Sequence, residues 1–457
     1  MRLRSFIVLT SSASFVAAIG ALVACSSSEA RDRFPDAGGG RDAAIPPEVD
    51  SGGDAESAKS PFDPSDAAVT CAGTPCAIDL VAGDRHFCAR MNDGTVRCWG
   101  DDTRGALGVD AGTPGESSIV GSVTGLAGVT QLSAGGATTC AVLEDGGVRC
   151  WGANDKGQLG LDVSAPMFDD EPHPTPAPVA LPSTAKRVDV GPASACALLA
   201  SGEVWCWGDN GHEQLARETA TAIGAPGRAD LGELQVTRTA AGMHTAFAVT
   251  DSGDLVSWGA LLGYFEGVLG GREASVSPSA LPLSTGLGPV TSLSASSTTA
   301  HAPDTEVLRR GIAHACVVVD GELHCWGDSL RGALGTGVPK LERLPRRVQL
   351  TSDTAWAQQV AAGGDITCVR LTDGTIECAG DNGFGALGMD PKTLSSIFFR
   401  PAETFDGYAV RIAVASHSVC ALIHDGSVVC WGSNERGELG QGTTDTAPHP
   451  TPVSVRF

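Results

Sequence analysis

Aromatic side chains are scarce in this 457-residue chain, and only two of them, Tyr264 and Tyr408, are tyrosines. Glycosidases that use a tyrosine nucleophile are therefore a poor fit. Basic residues are also in deficit, with 31 Lys and Arg against 53 Asp and Glu and a formal net charge of −22. Proteins that gain affinity by neutralising phosphates carry a basic footprint, so nucleic acid is not an expected partner. An acidic, solvated surface accounts for the charge. Beyond the first 25 residues no apolar run is long enough to span a bilayer. The chain also lacks a Gly-x-Ser-x-Gly elbow, a phosphate loop and a dinucleotide fingerprint. With no convergent set of acids, bases and nucleophiles, the chain reads as a non-enzyme without a cofactor.

Glycine and proline are plentiful, at 59 and 26 residues, and they punctuate a repeat. Seven related segments begin at Cys98, Cys150, Cys206, Ser257, Cys325, Cys378 and Cys430, as in CWGDDTRGALG and CWGANDKGQLG. The glycine after the aromatic falls at Gly100, Gly152, Gly208, Gly259, Gly327, Gly380 and Gly432, with spacings of 52, 56, 51, 68, 53 and 52 residues. A period near 50 residues, rich in strand and turn signals, is that of a β-propeller blade. The expected fold is all-β, with seven blades over 71–457.

The N-terminus divides into two further segments. Residues 1–24 read as a processing signal, with Arg2 and Arg4 ahead of an apolar run ending Leu22-Val23-Ala24-Cys25. This box resembles that of bacterial lipoproteins, which implies cleavage before Cys25 and lipid on its thiol. Residues 25–70 are rich in Ala, Asp, Gly, Pro and Ser and cannot bury enough surface to offset their ordering entropy. They are expected to form a disordered tether. The expected location is the cell envelope, as an outer-membrane lipoprotein or an extracellular protein. Only the lipid would touch the membrane.

Cysteine spacing supports an oxidising compartment. Apart from Cys25, twelve cysteines form six pairs: Cys88/Cys98, Cys140/Cys150, Cys196/Cys206, Cys316/Cys325, Cys368/Cys378 and Cys420/Cys430. Each pair brackets a glycine-containing turn. A three-residue hairpin loop ending in a left-handed glycine sets residues ten apart opposite each other, and a two-residue loop does so for residues nine apart. The one pair with the shorter loop, Cys316/Cys325, is also the one with the shorter spacing. In the fourth copy Phe247 and Ser257 replace both cysteines at once, as expected of a bonded pair. Six cross-strand disulfides follow, with a seventh between Cys71 and Cys76. Zinc sites of the usual kind need knuckles or interleaved histidines, and no metal is expected.

The run Val-Ala-Gly-Asp-Arg-His-Phe-Cys at 81–88, then Asn-Asp-Gly-Thr-Val-Arg-Cys-Trp-Gly at 92–100 and Arg-Gly-Ala-Leu-Gly at 104–108, resembles the repeat of the regulator of chromosome condensation family. That resemblance covers 77–457 and implies a seven-bladed ring of four-stranded blades. It also brings partners of several kinds: a small GTPase, chromatin or an extracellular enzyme. Repeats after the first are preceded by a proline-containing strand such as Pro176 to Val179, whereas the first lacks one and Pro450 to Val455 supplies it at the other end. The last strand is therefore expected to complete the first blade. The column Trp99, Trp151, Trp207, Trp258, Trp326 and Trp431 is expected between blades, with Ala379 thinning the sixth.

Candidate binding residues lie in two places. The residue before each Gly-x-Leu-Gly turn includes Arg104, Lys156, Arg331 and Arg436, which read either as an anion-attracting rim or as solvated turn positions. Two insertions carry aromatics beside acids, Phe168 in the first and Tyr264 and Phe265 in the second, a composition suited to protein interfaces. The expected function is a monomeric, non-catalytic platform for a protein or envelope macromolecule. A glycan-acting enzyme, a structural envelope component and a guanine-nucleotide-exchange-like role are the alternatives.

Overall fold

Four strands that follow one another in the chain make each blade, as in Val129–Gly135, Thr138–Leu143, Val148–Asn154 and Asp169–Pro178. The computed structural model describes residues 62–66, 68–71, 73–109, 119–161, 167–260, 279–296 and 313–457. Seven such antiparallel sheets occupy 77–122, 129–178, 185–228, 236–284, 290–348, 357–401 and 409–454. They are numbered here as blades 1 to 7. The first strands of all seven line one central cavity of about 240 Å³, so these strands are innermost and the ring is closed. The seven-bladed all-β expectation is met.

The six cysteine pairs sit directly opposite in register, with Cα atoms 4.1 Å apart, and all six are disulfides. This is the close spacing of a non-hydrogen-bonded antiparallel pair. In the short hairpin of blade 5, Asp320 and Gly321 both take positive φ, at 49° and 78°, which gives the two-residue primed turn. Phe247 and Ser257 face each other at the same register in blade 4. Cys71 and Cys76 are also bonded. Cys25 and the whole leader lie outside the described residues.

Ring closure differs from the expectation. The terminal strand Asp445–Ser454 pairs with Val428–Asn434 of its own blade, not with blade 1. The proline-containing strand is the outer strand that follows each repeat, so the last blade needs its own. Blade 1 has its own outer strand too, the two-residue Gly121–Ser122. The termini nonetheless meet. The Phe457 ring lies edge-on to Trp99 at 5.9 Å, and Ala77 N–H donates to Gly426 O at 3.1 Å.

Side-chain clasps around the cavity replace the shared sheet. One column of the innermost strands reads Asp79, Gln131, Arg187, Arg238, Ser292, Gln359 and Arg411, and the ladder is irregular beside each of them. Bulges re-aim side chains, and Gln131, Arg238, Ser292, Gln359 and Arg411 reach the next blade. Gln131 spans to both N–H and C=O of Val188 at 3.0 and 2.9 Å, and Gln359 does the same to Ile412 at 2.9 and 2.9 Å. Ser292 Oγ accepts from Val360 N–H at 3.1 Å, and Arg411 meets Asp79 at 3.1 Å across the blade 7–blade 1 junction.

The tryptophan column fills the junctions farther out, and all six rings are fully buried. Trp99, Trp151, Trp207, Trp258 and Trp431 each donate Nε1–H to a carbonyl of the preceding blade at 2.8–2.9 Å. The expected thinning at Ala379 is absent. Phe399, from the outer strand of blade 6, is buried beside Ala379 and Leu334. Its ring packs on Gly335 as the Trp151 ring packs on Gly108. A phenyl group arriving from another strand thus occupies the indole's place.

Upstream of residue 71 the chain is not wholly a tether. Gln358 Nε2 donates to Ser65 O at 3.0 Å, Thr70 N–H donates to His424 O at 2.7 Å, and Asp66 forms an ion pair with the buried Arg370. This strap runs along blades 6 and 7 to the start of blade 1.

Candidate binding surfaces

On one face of the ring, the third strands of six blades lead into the same turn. The second residue after Trp-Gly (Ala-Gly in blade 6) accepts a hydrogen bond from the leucine N–H five residues on: Asp102 from Leu107, Asn154 from Leu159, Asn210 from Leu215, Ser329 from Leu334, Asn382 from Leu387 and Asn434 from Leu439, at 2.9–3.4 Å. This side-chain cap fixes the turn and presents the rim column alike from blade to blade. The glycine of Trp-Gly is required beneath it, since a Cβ at Gly152 would lie 2.2 Å from Ala137 O.

The four cations of the rim each face a carboxylate. Arg104 lies 3.9 Å from Asp155 and 3.7 Å from Asp170, Lys156 4.0 Å from Asp155, Arg331 3.5 Å from Asp381 and Arg436 3.9 Å from Asp101. Arg104, Arg331 and Arg436 thereby reach the next blade. Exposed pairs of this kind contribute little stability, but they cancel the rim's positive charge. Phe384 and His212 hold the same column in blades 6 and 3, and their rings lie 4.9 Å from His417 and 4.1 Å from His244 of the following blade.

Histidines of the neighbouring column are structural. His86 and His314 are buried, with Nε2 2.8 and 2.7 Å from Thr139 and Thr367 hydroxyls of the next blade. Burial pushes both imidazoles down to about 4, so they are neutral at physiological pH. Thr138, Thr245 and Ser418 at the equivalent position donate to carbonyls of their own blade. Two carboxyls under this face move the other way. Burial raises Asp365 and Glu438 to about 7 each.

The sequence reading missed two surfaces. In the central cavity, Arg187 and Arg411 pair with Asp189 and Asp79, at 2.6 and 3.1 Å, whereas Arg238 donates to Leu293 O at 3.2 Å. Burial, with Arg187 and Arg411 nearby, pushes the Arg238 guanidinium down to about 10. The signal was a polar residue once per repeat in the innermost strand. The second surface is apolar and lies on blades 5 and 6. Leu330, Val338, Leu394 and Phe398 are exposed by 56, 43, 65 and 50 %. Residues 330–338 lie along Ser396–Phe398, joined by the Thr336–Phe398 bridge. Alternation in Ile397-Phe398-Phe399 turns Phe399 inward and Phe398 to solvent.

Phe168 is 55 % exposed just ahead of the outer strand of blade 2. Tyr264 and Phe265, the other aromatic candidates, lie outside the described residues.

Known proteins agree with this architecture. The Regulator of chromosome condensation (RCC1) repeat matches residues 77–106, 129–158, 185–214 and 357–386, and a second description of that repeat matches 320–370 and 425–456. The ultraviolet-B receptor UVR8 of Arabidopsis thaliana is 26 % identical over 79 % of this chain and 78 % of its own length. The E3 ubiquitin-protein ligase HERC2 of Homo sapiens is 26 % identical over 79 % of this chain, a stretch that is 7 % of its own length. Among solved structures, the complex of Kap60 with yeast RCC1 (Prp20) superposes with a TM-score of 0.63 at 17 % identity, covering 86 % of this chain and 88 % of that one. Human WBSCR16 gives 0.63 at 22 % identity, covering 80 % and 94 %. The chain carries regulator of chromosome condensation repeats, folded as a seven-bladed propeller.

Proposed function

We propose that this chain is a cell-envelope lipoprotein, anchored through Cys25, whose propeller is a non-catalytic docking platform for a protein partner. The observation that carries the reading is the apolar surface of Leu330, Val338, Leu394 and Phe398, set on a ring that is stapled within six blades. Grouped exposed apolar side chains on a soluble domain mark interaction sites. A rigid scaffold lowers the ordering cost of binding. The disulfides and the signal-like leader agree on an oxidising, extracytoplasmic setting. Among relatives, yeast RCC1 (Prp20) is seen bound to another protein, Kap60, which supports a protein as the partner here. Export argues against transferring nucleotide exchange on an intracellular GTPase, and fold alone does not carry function.

Affinity capture from native envelopes tests the platform. Wild type retains a protein that a Leu394→Asp, Phe398→Asp variant of equal thermal stability loses, and an unchanged captured set overturns the choice of surface. Turnover of an envelope glycan, abolished by one point substitution, would replace the platform with an enzyme. Anchoring is checked separately, since Cys25→Ser abolishes incorporation of labelled fatty acid and releases the protein from the membrane fraction.

A further inference from the structure

The junction between blades 3 and 4 departs from the arginine clasps of the rim face. At three other junctions an arginine meets an acid of the next blade: Arg104 with Asp155 and Asp170, Arg331 with Asp381 and Arg436 with Asp101. Here the arginine position holds His212, and the facing loop of blade 4 supplies His244. Asp209, at the end of the third strand of blade 3, completes the group. One oxygen of Asp209 and one ring nitrogen from each histidine all lie within 4.8 Å of one another. His244 Nδ1 is 3.8 Å from Asp209 Oδ2, and those two side chains are only 11 and 17 % exposed. The imidazole rings lie 4.1 Å apart at 38°.

We propose that Asp209, His212 and His244 bind one zinc-type divalent transition-metal ion that staples blade 3 to blade 4. Two imidazoles and a carboxylate form the mixed nitrogen–oxygen donor set that suits zinc, whereas calcium and magnesium ask for oxygen cages. Bonds of about 2.0–2.2 Å to a tetrahedral ion place donor atoms roughly 3.3 Å apart. The present separations close to that value with shifts on the order of 1 Å. A supporting shell already holds the ligands. Gln214 Nε2 donates to Asp209 Oδ2 at 2.7 Å, Gly211 N–H donates to Asp209 Oδ1 at 3.2 Å, and Gln214 Oε1 accepts from His212 N–H at 2.8 Å. Such outer contacts orient metal ligands. Gln214 Nε2 also reaches Met243 O at 3.4 Å, which ties the two histidine-bearing loops together before any ion arrives. The ion would join blade 3 to the one blade whose hairpin has no cysteine pair.

Titration of the chelator-treated full-length chain, purified without a histidine tag, with zinc sulfate tests this. One equivalent binds with a Kd at or below the low-micromolar range, and excess zinc raises Tm by several degrees, whereas calcium and magnesium do neither. His244→Ala and His212→Gln each weaken zinc at least tenfold, with the metal-free circular dichroism and Tm of the wild type retained. Asp209→Asn also weakens zinc and reports on the carboxylate without changing side-chain shape. Two results overturn the assignment: no saturable one-to-one binding, or binding that survives all three substitutions and so resides elsewhere, for example at the His173–Asp169 or His449–Asp445 pairs.

Discussion

At the scale of single residues, repeated columns have repeated jobs, and the exceptions are informative. Phe399 stands in for the tryptophan that blade 6 lacks, and its ring is fully enclosed at a blade junction. Phe399→Ala is therefore expected to cost about 3–5 kcal/mol in chemical denaturation, whereas Phe398→Ala, one residue away and half exposed, stays within about 0.5 kcal/mol. Asp365 gives a pH signature. Its folded-state pKa is raised by burial to about 7, and its Oδ1 is buried without a hydrogen bond. A carboxyl with a raised pKa holds its proton in the folded state, so its contribution is fully present below the unfolded carboxyl range and is lost as pH rises towards 7. Asp365→Asn should raise Tm at pH 8, with a gain of up to a few kcal/mol, and the difference should vanish near pH 4. The depressed imidazoles of His86 and His314 act in the opposite sense. Their stabilisation is complete above pH 6.5 and drains away as pH falls to about 4, so thermal scans of variants, not of wild type alone, separate the two effects.

At the scale of the hairpin, loop length and cysteine spacing vary together, because only matched changes keep two sulfurs facing across a ladder. Blade 4 keeps the geometry without the bond, since Phe247 and Ser257 hold the same paired register as the cysteines elsewhere. The double substitution Phe247→Cys, Ser257→Cys should close a seventh hairpin disulfide, detectable in unreduced peptides by mass spectrometry. Closing a loop this short contributes roughly 2–3 kcal/mol on the chain-entropy model, and loss of the buried phenyl ring offsets it. The bond should form while net stability changes little. Replacing both Cys316 and Cys325 with serine should instead lower stability by about 2–3 kcal/mol, measured by urea unfolding.

At the scale of the whole molecule, closure rests on side-chain contacts and single backbone hydrogen bonds, and not on a shared sheet. The bulged column around the cavity ties neighbouring blades together, and the strap upstream of residue 71 adds contacts along blades 6 and 7. Arg370 is almost wholly buried, and it forms an ion pair with Asp66 of that strap. Leaving a buried charge unpaired is costly, so deletion of residues 1–67 should lower Tm by several degrees although it removes no blade strand. An unchanged Tm would show that the strap contributes nothing to closure.

The linear pattern alone set the number of blades, the facing cysteines and the turn that displays the rim, because each depends on contacts within one repeat of about 50 residues. The frame of the blade was harder to see. A proline-rich strand between two repeats belongs equally well to either in the sequence, and only hydrogen bonding in the folded sheet assigns Asp445–Ser454 to blade 7. The ring also decided what meets across junctions: Phe399 beside Leu334, Arg411 against Asp79, and His212 against His244 with Asp209. Those partners lie in different strands or different repeats, and no local spacing relates them. Their encounter follows from the curvature that brings one blade's loops over the next.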